Sequence, residues 1–127
     1  MLQGIEAVTT QALGLALDAA SLRQQVIAAN IANANTIGYL PQHLSFGGQM
    51  EQVQAEIRDA GSLSAGSLTA LRPTLALSLD SQGLPAKVRL DEEMAAMAQN
   101  TVQYQALIKG LNRHFSILAT AASDGKR

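Results

Sequence analysis

The stretch Ala29–Tyr39, ANIANANTIGY, sets three asparagines, Asn30, Asn33 and Asn35, within six residues. Asparagine is a poor helix former, and its amide needs partners for both its donors and its acceptor when it is buried. Upstream, Ile5, Val8, Ala12, Leu15, Ala19, Leu22, Val26 and Ala29 alternate steps of three and four, and the next step lands on Asn33. No proline interrupts residues 1–40. The spacing predicts a helix from Gly4 to Asn33, roughly 45 Å long at the α-helical rise. Asn33 then places an amide on the apolar seam, where it trades stability for register. Asn30 and Asn33 also occupy the last turn, where carbonyls lose their intrahelical partners and side-chain amides can bond the exit loop. Gly38 is the expected left-handed residue of the turn that follows, and Tyr39 the anchor of that loop. For Asn35 a polar cap with no further role is the competing reading.

The C-terminal part has a second seam. Leu90, Met94, Met97, Thr101, Tyr104, Ile108, Leu111, Phe115, Leu118 and Ala122 alternate steps of four and three. Asp91 reads as the N-cap, with Glu92 and Glu93 in the first turn where the helix dipole favours negative charge. Gly125 and the basic Lys126-Arg127 close the other end. The two seams are expected to pair, Leu15, Leu22 and Val26 lying against the C-terminal row, with the direction left open. Between them, residues 38–48 read as loop or short extended structure and residues 49–60 as three helical turns with a thin Val53 and Ile57 stripe. Residues 61–67, GSLSAGS, read as a linker. Leu75, Leu77 and Leu79 alternate before an Asp80–Gly83 turn, which suggests a β-hairpin with Pro73 keeping its first arm at an edge. The expected fold is mainly α: residues 1–34 and 88–127 form one discontinuous coiled-coil domain around a partly flexible insert, residues 35–87.

The N-terminal helix carries a second apolar row, Leu13, Leu17, Ala20, Ile27 and Ile31, broken by Gln24. It is centred roughly 150° from the heptad seam at 100° per residue. One partner helix covers one side only, so the second cover must come from the insert or from other molecules. Each aliphatic side chain left in water forgoes on the order of 1.5 kcal/mol or more. Leu13, Leu17, Ile27 and Ile31 are therefore assigned to contacts between subunits.

Composition narrows the function. The chain has 127 residues, room for one domain, and only 3% aromatics. A formal charge of -1 without a basic cluster argues against nucleic acid, and the absence of cysteine removes thiol chemistry and disulfides. MLQGIEAVTT has neither the basic start nor the apolar core of a secretory signal, and no apolar run is long enough to span a membrane. His43 and His114 have no companions at ligand spacing, and His114 reads as a helix-surface residue. Asp91, Glu92 and Glu93 are adjacent on a helix and diverge, so they read as a terminal charge cluster. Met94 and Met97 read as seam fillers, and Gly47-Gly48 lacks the lysine of a phosphate loop. Gly110 marks either a close helix contact or a tolerated flaw. No catalytic residue, metal site, cofactor or small-molecule substrate is expected.

ANIANANTIGY, preceded by SLRQQVIA, resembles the N-terminal motif of flagellar rod, hook and hook-associated proteins, close to A-N-N/I-A-N-A/V-D/N-T-P-G-Y. It departs from that pattern at Asn35, at Ile37 in place of proline, and at Leu40. VRLDEEMAAMAQNTVQYQALIKGLNRHFSILATAAS, residues 88–123, looks like the closing helix of proximal rod subunits in that family. The resemblance implies a structural subunit without enzymatic activity, its terminal helices paired into a coiled-coil domain that packs into a hollow tube. It further implies a basal-body location in the periplasmic rod, reached by type III export from the cytoplasm without a cleaved signal. Implied partners are other rod subunits and further copies of itself, the adaptor FliE, the export gate and the inner-membrane ring. The rival reading is a cytosolic helical adaptor or chaperone of a type III export system, with the same helices closed into a stable dimer. A small enzyme is the third, and no convergent polar cluster supports it.

Overall fold

The uninterrupted helix-forming run of the N-terminus becomes a single helix in the computed structural model, which describes residues 2–126. This helix, α1, spans Leu2–Ala32, and the second long helix, α4, spans Leu90–Asp124. Between them lie β1 (Gln42–Ser45), α2 (Gln49–Ala60), α3 (Ala65–Ala70) and β2 (Thr74–Leu77). The long helices pack side by side and antiparallel. Thr10 bonds His114, Gln24 bonds Asn100 and Asn30 bonds Glu93, so one residue number rises as the other falls.

The start of α4 corrects one expectation. The helix begins at Leu90 with Arg89 at the cap and no capping side chain, so Asp91 belongs to the first turn with Glu92 and Glu93. Three carboxylates against the positive end of the helix dipole replace the missing cap. Gly125 ends α4 with a right-handed φ of -69°, its N–H donating to the Ala121 carbonyl while the Lys126 N–H donates to that of Ser123. A Cβ at Gly110 would meet nothing within 4 Å, so no close contact inside the chain requires this glycine. Gly110→Ala is expected to stabilise the chain by about 1 kcal/mol, read as a higher melting temperature.

The insert departs from its expected form in two places. Residues 61–67 are not simply linker: the Ser64 hydroxyl accepts from the Ser67 N–H and starts α3, which buries Leu68 beneath it. The second departure concerns β2. Its partner is β1, antiparallel, with Gln42 opposite Leu77 and Ser45 opposite Thr74. Of the expected hairpin there remain the Asp80–Gly83 turn, with Gly83 at φ +76°, and one bridge, Leu79 to Pro85. Pro85 has no N–H to give a longer ladder, whereas β1 offers an unbroken edge.

Glu56 of α2 joins α2 to α3 by accepting from the Ser64 N–H and the Ser67 hydroxyl. The Ser67 hydroxyl, and then the Ser64 N–H, hold this carboxyl below its ordinary range. A depressed carboxylate pKa adds stability above the free pKa and loses it as pH falls through the folded value. The Ser64 amide proton resonance is therefore expected to shift on acidification through that range. Glu56→Gln should remove the dependence.

The core is small. Among the described residues, Ala19, Ala20, Val26, Ile27, Leu68 and Leu71 are the buried apolar ones. The chain exposes 8942 Å². A compact monomer of 13.3 kDa exposes roughly 6,500 Å², leaving an excess of about 2,500 Å². Each partner in a standard protein interface buries about 800 Å². The molecule is an extended hairpin that lacks cover.

Candidate functional site

Asn30 is the junction of the molecule, with 1% of its surface exposed. Its Nδ2 donates to the Gln42 carbonyl at 2.8 Å and to Glu93 Oε2 at 3.2 Å. Its Oδ1 accepts from the Tyr39 hydroxyl at 2.9 Å and the Gln42 N–H at 3.2 Å. Both donors and both lone pairs of the amide are used, which offsets the cost of burying it. One side chain thus ties α1, the exit loop, β1 and α4 together.

The other motif residues act closer to home. Asn33 is half-buried, donates to its own helix at Ala29 O (2.9 Å) and accepts from the Thr36 hydroxyl (3.1 Å). It caps α1 and does not cross to α4, because the helix has already ended at Ala32. Gly38 turns the chain at φ +80°. Asn35 is exposed, and Ile37 stands fully in water at 102%.

Both rows on α1 are covered from within the chain. Ala20 and Gln24, from the second row, face α4 through Asn100, and Ile27 of the same row is buried. Leu13, Leu17 and Ile31 continue that row half-buried, so the residues assigned to subunit contacts lie on the intrachain side. The heptad seam faces the insert and the flank of α4 together. Leu15 and Leu22 look into an apolar groove of about 750 Å³ lined by Phe46, Met50, Leu68 and Leu71 of the insert and by Ala106 and Leu107 of α4, and Val26 is buried farther along the stripe. The insert supplies the second cover over part of α1, one of the two alternatives open from sequence.

On α4 the residues of the expected seam fall on two sides. Met97, Leu111 and Leu118 are half-buried, with Tyr104 at the margin of the same row. The row that completes the inner face is Glu93, Asn100, Leu107 and His114, one residue before the expected Met94, Thr101, Ile108 and Phe115. His114 is consequently an interface residue bonded to Thr10 and not a surface one. The expected partner row points outward: Met94 is 59% exposed, Ile108 37% and Phe115 48%. With Leu90 it forms an apolar stripe along most of α4.

Asn100 was not singled out from sequence. It is 3% exposed and donates to Ala20 O and Gln24 Oε1, each at 2.8 Å. The signal for it was Gln24, the one polar break in an apolar row, which requires a polar partner. His43 is exposed and bonds Ser78, and no cluster of three metal-ligating side chains exists among the described residues. No described helix is long and apolar enough to cross a membrane. The candidate site is a surface: the α4 stripe and the α1 groove.

Residues 11–39 match the family model described as flagella basal body rod protein. The flagellar basal body rod protein FlgB of Bacillus subtilis (strain 168) is 31% identical over 125 residues, 93% of this chain and 95% of that protein. The Escherichia coli (strain K12) protein of the same name is 33% identical over 110 residues, 76% of this chain and 80% of its own length. With likeness of this extent, the chain belongs to the FlgB family of flagellar basal-body rod proteins, as a structural, non-enzymatic component of the rod.

Proposed function

We propose that this chain builds the rod by packing its paired terminal helices against other rod subunits and further copies of itself, with the outward stripe of α4 as the principal contact. The observation that carries this is Met94, Ile108 and Phe115 in water on a helix whose inner face is partly polar. Residues 1–34 and 88–127 act as one assembly domain, and residues 35–87 ride on it while Leu68 and Leu71 seal part of α1. Asn30, Asn33, Gly38 and Tyr39 set the exit of α1, and Asn35 and Ile37 present that turn to neighbours. The finer partners, the adaptor FliE, the export gate and the inner-membrane ring, rest on the family resemblance, as does export without a cleaved signal.

The test is complementation of a strain deleted for the gene with Ile108→Asp/Phe115→Asp, scored by swimming and by recovery of rods. Intact swimming with normal rods would overturn the assignment of the stripe. A tight, concentration-independent dimer of the isolated chain would instead favour the adaptor reading.

A further inference from the structure

The inner face of α4 is less apolar than the face it turns to water. The inward row at seven-residue spacing is Glu93, Asn100, Leu107 and His114, and three of its four members meet a polar partner on α1. The outward row, one residue later, is Met94, Thr101, Ile108 and Phe115. Both rows flank Met97, Tyr104, Leu111 and Leu118. Turning α4 about its own axis by about 50° would keep that shared row on α1 and exchange the polar row for the apolar one. On apolar burial alone the turned arrangement is preferred, and it would withdraw the stripe from the surface.

We propose that the rungs Asn30–Glu93, Gln24–Asn100 and Thr10–His114 are orientation-determining pairs that hold α4 with its apolar stripe outward, ready for a second copy or another rod subunit. A buried amide admits few alignments, because any other leaves its donors unpaired. Asn100 is the central rung, nearly sealed from water and bonded to a backbone carbonyl as well as to Gln24. Glu93 and His114 are half-buried and fix the rotation on either side of it. The rungs trade stability of the isolated hairpin for a defined outer surface. This rests on the assembly reading above.

The chain has no cysteine, so single thiols report the rotation directly. Leu107→Cys and Ile108→Cys are each placed in the natural background and in Asn100→Leu/Gln24→Leu, and their rates of reaction with iodoacetamide are measured on the full chain. In the natural background the thiol at 108 is expected to react several-fold faster than that at 107. In the leucine background the order is expected to reverse, and complemented cells, with neither thiol, to lose swimming. An unchanged order in the leucine background overturns the proposal and leaves the stripe assignment to stand or fall on Ile108→Asp/Phe115→Asp. Reversal with swimming intact overturns the claim that orientation serves assembly. If the double variant loses its helical circular dichroism, Asn100→Leu alone carries the comparison. Loss of helix there as well overturns the proposal, since the rung would then supply stability and not orientation.

Discussion

Cells carrying Ile108→Asp together with Phe115→Asp are expected to lose swimming entirely while making a folded, soluble chain. Both side chains are partly exposed on α4, 37% and 48%, so the hairpin itself loses less by the change than it would at a buried position. Surface substitutions away from special features stay within about 0.5 kcal/mol. In an assembled rod the same positions would bury two carboxylates without partners, at a cost of several kcal/mol for each ion. A cost of that size, repeated at every subunit, leaves no stable polymer. Circular dichroism and thermal melting of the isolated variant check folding, and motility with rod recovery checks assembly. Aspartates at Leu17 and Ile27 would not make this distinction. That row lies on the α4 side of α1, so the pair would disrupt the hairpin before assembly was tested.

Asn30→Ala is expected to be the most destabilising single change, on the order of 3 to 5 kcal/mol. It removes four hydrogen bonds at once. The Gln42 carbonyl and N–H, the Tyr39 hydroxyl and the Glu93 carboxylate each lose a partner. A domain with a total stability of 5–15 kcal/mol tolerates this poorly. Urea unfolding should show a large fall in midpoint, with His43 and Ala76 of the β1–β2 pair losing amide protection early, because β1 is pinned to α1 through Gln42. Tyr39→Phe makes the comparison quantitative. It deletes one bond and leaves the Asn30 carbonyl with the Gln42 N–H, so a loss of about 1 kcal/mol is expected. Equal losses from the two variants would show that Asn30 does not serve as the junction.

The two predictions concern different layers of the molecule. Asn30 secures the joint at which α1, the insert and α4 meet. The α4 stripe is what that joint presents. Between them lies the groove over Leu15 and Leu22, where α2 stands beside α1 without burying any residue of its own.

Much of this was legible in the residues themselves. The two long helices, α2 at residues 49–60, the left-handed Gly38 and the Asp80–Gly83 turn all follow from chemistry acting over one to four residues. Proline absence, apolar spacing, acidic first-turn residues and glycine at positive φ require no knowledge of the rest of the chain. The capacity of Asn30 to bond the exit loop was readable for the same reason, since Tyr39 and Gln42 lie within twelve residues of it. The start of α3 at Ser64 was readable too, but a glycine- and serine-rich composition outweighed the single capping hydroxyl.

Only the tertiary structure decided which side of each helix faces inward. On α1 two apolar rows compete, and on α4 two rows share Met97, Tyr104, Leu111 and Leu118, so hydrophobic spacing alone is degenerate by about half a residue of rotation. The degeneracy is lifted by Asn100 and Gln24, seventy-six positions apart, whose amides can be satisfied together in one orientation only. Separation in sequence likewise hid the pairing of β1 with β2 and the Asn30–Glu93 contact. Local chemistry thus wrote the helices and their ends, while matching distant polar groups chose their faces, because a buried amide reveals its partner only when the chain has brought it there.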